Sequence, residues 1–281
     1  MIKALIITTL ILIAILSALI LFSMSRWDRR TREMIARIEA AAVPSSGARF
    51  DSTETADLPP IVQRYFSLAL TPGQAIVNAV TIHHDGLFNM SETGENWKRF
   101  TSIQRVVTRT PGFVWDARIA MMPGVNVRVH DAFVAGEGIL HASLFGLFSV
   151  ANLRGTREIA EGELMRFFAE AAWYPTALLP SQGVRWAGVD DRSADASMEL
   201  NGIAVTMRVS FDPDGLIASM RVDARGRVVG GKVIPTPWEG RWRNYSSRNG
   251  MVIPTEGEVA WITPDGPRPY WRGTASSIAF Q

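Results

Sequence analysis

Hydrophobic and polar residues alternate along most of the chain from about residue 75 onward. In the segment FVWDARIAM, the apolar residues Phe113, Trp115, Ala117 and Ile119 occupy every second position. The same period recurs in 125–130, 205–211 and 216–223, in each case with apolar residues on one side. A period of two is typical of strands that have one covered face and one more polar face.

Turn signals separate these segments. Asp-Gly or Asn-Gly pairs stand at 85–86, 201–202, 214–215, 249–250 and 265–266. Such pairs supply the positive φ angles of tight hairpin turns. Strands joined by short turns form a meander, so the sequence predicts a mainly β fold: a curved antiparallel sheet (half barrel) of roughly ten strands.

One segment with a different period interrupts the strands. Within GELMRFFAEAAWY, the charged residues Glu163, Arg166 and Glu170 fall on one narrow stripe, and almost every other residue is apolar. A helix of this kind must be enclosed over most of its circumference. We therefore predict a helix over 161–174 that lies across the concave side of the sheet as a lid.

The N-terminus has the composition of a membrane span. Residues 4–22 carry no charge, and about twenty helical residues cover roughly 30 Å, the thickness of the hydrocarbon core of a bilayer. The apolar run is longer than that of a cleaved signal peptide and no small-residue cleavage site follows it. We expect residues 1–23 to be a permanent single-pass transmembrane anchor in the inner (cytoplasmic) membrane. Four arginines soon after the span favour a cytoplasmic domain, but the side of the soluble domain stays open.

The remaining boundaries follow from composition. Residues 24–57 contain helical i,i+4 charge pairs and then a Ser-, Thr-, Gly- and Pro-rich stretch, which predicts a juxtamembrane helix followed by a linker. A second helix is expected over 58–70, with a proline in its first turn. Residues 58–281 are predicted to form the β-rich half-barrel domain.

Composition excludes several functions. The chain has 281 residues, no cysteine and a formal net charge of +2, so disulfides and thiol-ligated metals are excluded. Its arginines are interleaved with acids, which argues against nucleic-acid binding. The segment 226–233 has phosphate-loop spacing, but Val233 replaces the required Ser or Thr and prolines follow. The four histidines, His83, His84, His130 and His141, match no zinc pattern. We therefore expect neither a metal nor a cofactor.

The stretch VIPTPWEGRW allows two interpretations. Proline is confined to strand starts, edges and bulges, so Pro235 and Pro237 indicate where a strand begins. Trp238 and Trp242 then share one face, either as a pair of core residues or as walls of a ligand cavity. The candidate ligand-binding residues are the aromatic side chains expected on the concave face and its lid: Trp115, Phe168, Trp173, Trp238, Trp242 and Trp261.

Five segments carry a family resemblance: PGFVWDAR, WYPTALLP, PTPWEGRW, GEVAW and PYWRG, between residues 111 and 273. As a set, they resemble an uncharacterised bacterial family of membrane-anchored domains of unknown function. The layout is also similar to the lipoprotein-carrier (LolA/LolB-like) half barrel, in which a curved antiparallel sheet holds an acyl chain. The family resemblance implies no catalytic residue.

Three functions are compatible with this pattern. The first is a membrane-tethered domain that binds a membrane lipid or another apolar molecule in the half barrel. The second is a non-catalytic structural or interaction module of a membrane complex, with a packed interior. The third is an enzyme with its active site in the concavity, and its best case would be a cluster of Asp116, His130 and Glu239. Buried carboxylates or histidines that converge in the concavity would favour the enzyme.

Overall fold

The structure, a computed structural model, describes residues 1–43 and 47–281. The helices are α1 (Ile2–Ala41), α2 (Pro60–Ala69) and α3 (Arg157–Glu170). The strands are β1 (Ala79–Asn89), β2 (Trp97–Val107), β3 (Gly112–Met122), β4 (Val125–Val134), β5 (Glu137–Leu144), β6 (Phe148–Arg154), β7 (Arg185–Asp190), β8 (Ser193–Leu200), β9 (Ile203–Phe211), β10 (Ile217–Val229), β11 (Lys232–Arg248), β12 (Met251–Thr263) and β13 (Gly266–Phe280). Short 3-10 turns cover Ser52–Thr55, Ala171–Trp173, Pro175–Leu178 and Pro180–Gln182.

All the described strands belong to one curved antiparallel sheet, in the order β6-β5-β4-β3-β2-β1-β13-β12-β11-β10-β9-β8-β7. The sheet thus consists of two meanders, β1–β6 and β7–β13, joined by the ladder between β1 and β13. It is not closed, since β6 and β7 form its two edges. The predicted mainly β half-barrel class is confirmed, with thirteen strands instead of about ten.

Helix α3 connects the two free edges across the concave side. It contacts β4 and β5 near one edge, and β9 and β10 near the other. Gly138 on β5 allows the closest approach, because a Cβ there would lie 2.7 Å from the backbone nitrogen of Ala160. The predicted lid is therefore present and packs directly on the sheet.

The bounds of α3 differ from the predicted 161–174. The helix begins at Arg157 because Thr156 caps it: the Thr156 hydroxyl accepts a hydrogen bond from the Ile159 N–H at 3.4 Å. It ends at Glu170, where a 3-10 turn over Ala171–Trp173 takes over. The charged stripe of α3 faces the sheet, where Arg166 contacts Asp131 and Glu163 contacts Arg225.

Four of the five turn signals lie at hairpins, as predicted. Asn201 and Gly202 have φ of 51° and 73°, and Asn249 and Gly250 have φ of 49° and 81°, as expected of type I′ turns. The prediction at 85–86 is wrong, because Asp85 and Gly86 lie within β1. Gly86 is required there for space, since a Cβ would collide with the Arg272 carbonyl of β13.

Strand β11 begins at Lys232, before the two prolines that were predicted to mark its start. Residues 225–236 of β10 and β11 form a two-stranded ribbon, because the pairing of β11 with β12 starts only at Trp238. Such a position tolerates the missing N–H of Pro235 and Pro237. The ribbon turns at Gly230 and Gly231, with φ of 55° and 78°. The segment 226–233 is thus a hairpin and not a phosphate loop.

Helix α1 is continuous through its apolar part and well beyond it. Its first part is exposed and has a mean hydropathy of 3.0, which makes it long and apolar enough to cross a membrane. Its second part packs on the outer face of β2, β3 and β4, where Trp27 and Ile38 are buried. The segment after the apolar run is therefore helical, and the sheet is the partner of its apolar side.

The segment after α1 is only partly described, since residues 44–46 of the predicted linker lie outside the described residues. Beyond them, Phe50 is buried and its N–H donates to the Gln74 carbonyl at 2.8 Å. Helix α2 then follows as predicted, with Val62, Tyr65 and Phe66 in the core.

Candidate ligand-binding site

Four aromatic side chains meet at the middle of the concave face. Trp173 follows α3 and lies edge-on to Trp242 of β11, with ring centroids 4.7 Å apart. The rings of His84 and Trp271 lie 5.0 Å and 6.2 Å from that of Trp173. We call these four residues the central aromatic cluster. It brings together β1, β11, β13 and the end of the lid.

A row of glycines on the sheet lies against the indoles of Trp242 and Trp271. Gly86, Gly273 and Gly257 are register partners on β1, β13 and β12. A Cβ on Gly257 would lie 2.5 Å from the Trp242 ring, and one on Gly273 would collide with the Trp271 ring. The indoles can lie against the sheet backbone only because these positions lack a side chain.

The central aromatic cluster contains polar atoms that lack partners. Among the described residues, His84 Nε2, Trp173 Nε1 and Trp242 Nε1 are buried and make no hydrogen bond, and the same is true of Trp115 Nε1 nearby. Leaving such an atom unpaired costs about 1–3 kcal/mol. The interior therefore contains several hydrogen-bonding groups that its own side chains do not satisfy.

Burial also fixes the charge of His84. Its Nδ1 lies 3.2 Å from the Ser102 hydroxyl. Desolvation, aided by the positive charge of Arg166, lowers the pKa of His84 to about 3. The imidazole is consequently neutral at pH 7, and its Nε2 can donate or accept a hydrogen bond according to the tautomer.

Arg166 of α3 is the centre of a buried ion network on the same side of the sheet. It donates from Nη1 to Asp131 of β4 at 2.5 Å and from Nε to Glu170 at 2.8 Å. Its guanidinium also lies 4.9 Å and 5.1 Å from the ring centroids of Phe113 and Trp115. The charged stripe of α3 thus faces the interior and joins the lid to β3 and β4.

Glu163 extends this network toward β10, where its Oε1 lies 3.6 Å from Arg225 Nη2. Burial raises the pKa of Glu163 well above its usual range, and the negative charge of Asp131 adds to the effect. The network contains the carboxyl groups of Asp131, Glu163 and Glu170 and two guanidiniums. It is neutral when Glu163 carries a proton.

A second aromatic group lies beside Arg225, near the hairpin between β12 and β13. Trp238 donates from Nε1 to the Tyr270 hydroxyl at 2.9 Å, and the Tyr270 ring stacks on Trp261 with centroids 5.8 Å apart. The Arg225 guanidinium lies 4.7 Å from the Trp238 ring centroid. Phe88, Trp261 and Tyr270 are only partly buried, so this group leads from the interior to the surface.

The six predicted residues divide between these groups. Trp173 and Trp242 touch in the central aromatic cluster, and Trp115 connects to it through Phe100 and Trp271. Trp238 and Trp261 belong to the second group. Phe168 is buried in the surrounding apolar core. Their role as ligand contacts stays a prediction.

Sequence reasoning missed the polar members of the site. His84 and Asp131 occupy apolar positions of alternating strands, after Val80 and Ile82 in β1 and between Val129 and Phe133 in β4. A polar residue in an apolar register is informative, because it is buried. That signal would have found both residues. Arg225 follows a register shift in β10, so alternation does not reveal which way it points.

The cluster that would favour an enzyme forms only in part. Asp116 and His130 are register partners on β3 and β4, but they lie on the outer face under α1, where Thr31 bonds to both. Glu239 lies on β11, which four strands separate from β3. Desolvation by burial lowers the pKa of His130 to about 3. Its approach to Asp116, 3.8 Å, is therefore not an ion pair at neutral pH.

Two surface depressions can be described among residues 1–43 and 47–281. The larger, of about 620 Å³, lies on the outer face and is lined by Asp85, Leu87, Arg99, Arg118 and Asn126, among others. The other, of about 170 Å³, lies between Arg49, Glu54, Asn78 and Gln182. None of the six predicted residues lines either depression. The concave interior of the described structure is a packed aromatic core.

An open antiparallel half barrel with a helical lid and an N-terminal apolar helix is therefore the class of protein that the fold defines. The chain belongs to a family of unknown function, DUF6920, whose family model matches residues 56–280. The predicted membership of a family of unknown function is confirmed. Comparison with curated proteins finds no match.

Among solved structures, the chain is similar to a LolA superfamily protein from Nitrosomonas europaea. The identity is 11% and the TM-score 0.34, and the match covers 79% of this chain and 92% of that one.

Proposed function

We propose that this chain is a membrane-anchored domain that binds a lipid, or another apolar molecule with a polar end, between the concave sheet and α3. One observation carries the proposal: the buried, unpartnered N–H groups of the central aromatic cluster. They suit a ligand whose oxygen atoms accept hydrogen bonds, while the surrounding rings suit its apolar part.

The unpartnered nitrogens also weigh against the second function, a module with a merely packed interior. Native cores satisfy the large majority of their buried polar groups, and each exception calls for an explanation. Phenylalanine at 173 or 242 would fill similar space without the cost of an unpaired N–H. Ligand binding explains why tryptophan stands at both positions, because each indole then has a partner in the bound state.

The lid provides a route for the ligand. Helix α3 bridges the two free edges of an open sheet, so its displacement would uncover the concave face. The partly buried group of Phe88, Trp261 and Tyr270 lies at one end of that path. Burial of about twelve methylenes at ~0.8 kcal/mol each would contribute near 10 kcal/mol. Association costs of roughly 4–15 kcal/mol offset much of this gain.

The anchor compensates for modest affinity. We propose that the apolar part of α1 remains attached as a single-pass span of the inner membrane. Its apolar window is exposed, with none of it buried against the rest of the chain. A domain held at the bilayer meets lipid at high effective concentration. Membrane lipids are therefore the ligands that we expect the site to meet most often.

Photocrosslinking of the full-length protein tests the proposal. The protein is reconstituted into liposomes that contain a phospholipid with a photoactivatable acyl chain, and labelled peptides are mapped by mass spectrometry. Peptides with Trp173 and Trp242 should carry the label, and Trp242→Phe, which keeps an aromatic ring but removes the N–H, should reduce labelling several-fold. Label confined to residues 2–22 would reject the interior site and favour the packed interaction module.

The third function, an enzyme, has one observation in its favour. Asp131 and Glu163 converge in the interior, and the raised pKa of Glu163 is a feature of acid–base sites. Two arginines complete the charge balance of these carboxyls, however, and a neutral network needs no substrate to explain it. Ligand binding is therefore the better-supported function.

A further inference from the structure

Exposed apolar side chains concentrate at one end of the half barrel. In an antiparallel meander, alternate turns lie at the same end. Six hairpins share the end at which β1 stops, because β1 pairs antiparallel with β13: β1–β2, β3–β4, β5–β6, β8–β9, β10–β11 and β12–β13. The β8–β9 and β12–β13 hairpins turn at Asn201–Gly202 and Pro264–Asp265. We call the tips of the other four hairpins the anchor-side rim. Its exposed apolar residues are Met90, Met122, Leu147, Phe148, Val150, Val228, Val233 and Ile234.

The apolar side chains of the anchor-side rim are highly exposed. Phe148 and Val150 are 63% and 66% exposed, Met122 is 64% exposed, and Val233 is 53% exposed. The turns at the opposite end carry mostly polar or small residues, among them Arg109, Gly136, Asp191, Asp214 and Asn249. The contrast separates the four tips of the anchor-side rim from an ordinary surface, on which single apolar residues are scattered.

The course of α1 identifies what meets the rim. Its apolar run ends at Phe22, and the hydroxyl of the next residue, Ser23, donates to the Gly146 carbonyl at 2.5 Å. Ser23 is buried at this contact, and Gly146 is the turn of the β5–β6 hairpin. When residues 4–22 span the bilayer, this hairpin therefore lies at the membrane surface.

We infer that the anchor-side rim docks on the bilayer from which α1 emerges, with the tips of its hairpins inserted among the lipid head groups. This inference rests on the proposed anchor and deepens the proposed function, because it gives the source of the ligand. The second aromatic group lies at the same end as the rim, beside the β12–β13 turn. Docking places the second aromatic group against the lipid.

The ribbon of residues 225–236 is the second insertion point. It projects past the end of β12 and pairs only within itself. Val228, Val233 and Ile234 are exposed near its tip, next to Lys232. An exposed apolar tip with an adjacent lysine suits an interface in which the cation meets lipid phosphates.

The full-length protein offers a direct test, because it contains no cysteine. Single-cysteine variants Phe148→Cys and Ile234→Cys are labelled with an environment-sensitive fluorophore and reconstituted into phosphatidylcholine–phosphatidylglycerol liposomes. Asp214→Cys, at the opposite end, is the matched control. Nitroxide-labelled lipid should quench the first two labels at least about threefold more than the control.

A fourth variant, Leu19→Cys, reports on the anchor itself. Quenching at Leu19→Cys without quenching at Phe148→Cys or Ile234→Cys would overturn the docking while leaving the anchor intact. Quenching at Phe148→Cys without quenching at Ile234→Cys would also overturn the docking, because the β10–β11 hairpin would not reach the bilayer. If Leu19→Cys is not quenched, α1 does not insert, and both the anchor and the docking are rejected. The interior site is tested separately, by the photocrosslinked peptides.

Discussion

The indole of Trp27 lies flat on the imidazole of His130, with ring centroids 3.9 Å apart and 19° between the planes. Trp27 also donates from Nε1 to Asp116 at 3.2 Å. The pair joins α1, just beyond its apolar part, to β4 of the sheet. The orientation of the domain relative to the helix therefore depends on this contact.

Removing that stack should loosen α1 from the sheet. We expect Trp27→Ala to lower the free energy of unfolding by about 3–5 kcal/mol, the usual cost of truncating a buried tryptophan. Denaturant unfolding of the full-length protein in detergent measures the change. The control is Arg29→Ala, which alters a side chain that is 62% exposed and should have an effect within about 0.5 kcal/mol. Equal effects would show that α1 is not fastened through Trp27.

A charge on the buried side of α3 should also be costly. Phe168 is 1% exposed, so Phe168→Asp buries a carboxylate without a partner and should cost at least about 3 kcal/mol. Phe168→Leu, the matched control, keeps the site apolar and should cost less than about 1.5 kcal/mol. Thermal unfolding compares the two. If Phe168→Asp melts within a degree or two of the parent, the lid is not enclosed.

The proton on Glu163 gives stability a definite pH dependence. The pKa of Glu163 is raised above the ordinary 4.5 in the folded chain, so the folded state holds a proton that the unfolded state releases. Its contribution to stability therefore falls as pH rises from about 4.5 toward the raised value. Glu163→Gln keeps a neutral side chain and should gain stability relative to the parent over that range. Urea unfolding at several pH values measures the difference, and parallel curves would contradict the assignment.

His84 gives the free energy of unfolding the opposite pH dependence. Its pKa is lowered from 6.5 to about 3 in the folded chain, so the unfolded state binds a proton first on acidification. Stability is lost as pH falls from 6.5 toward 3, by up to about 1.4 kcal/mol per pH unit. His84→Asn cannot be protonated there and should lose less stability between those values. His130, whose pKa is also about 3, contributes a similar loss in both proteins and cancels in the comparison.

The glycine row can be tested without a change of charge. A methyl group on Gly86 would collide with the Arg272 backbone, so Gly86→Ala should destabilise the β1–β13 ladder by about 1–3 kcal/mol. Gly94 is the control, because the nearest atom to a Cβ there is 3.6 Å away. Gly94→Ala should leave the denaturation midpoint nearly unchanged. An equal response of the two variants would show that β1 and β13 can separate locally to admit a side chain.

Local patterns predicted the elements of this fold well. The alternation around Trp115 and the apolar surface of 161–174 depend on neighbouring residues, so strands and lid are visible in the sequence. Register between distant strands is not local: the Asp85–Gly86 pair has the composition of a turn, but its conformation is set by β13, nearly two hundred residues later. The direction of the charged stripe of α3 is not local either. The stripe faces inward because Arg166 pairs with Asp131 and Glu163 lies near Arg225, and both partners are on distant strands.

Burial on the outer face of the sheet could not be predicted from the local period either. Arg128 and His130 alternate with apolar residues, so the period of two predicts that they lie on the more polar face. Both are nevertheless buried, because α1 covers them. The sequence does show the apolar side of α1, at Met34, Ile35 and Ile38. It does not show which surface that side covers.

The ladder between β1 and β13 has a consequence for synthesis of the chain. The first meander can form as soon as β6 has left the ribosome, but the free edge of β1 stays unpaired until β13 follows. An open strand edge is prone to pair with another chain. By then α1 is already available to cover the outer face of β2–β4, while α3 still lacks β9 and β10. The nascent chain therefore passes through a half-built sheet that is shielded on its convex side and open on its concave side, where chaperone protection is most needed.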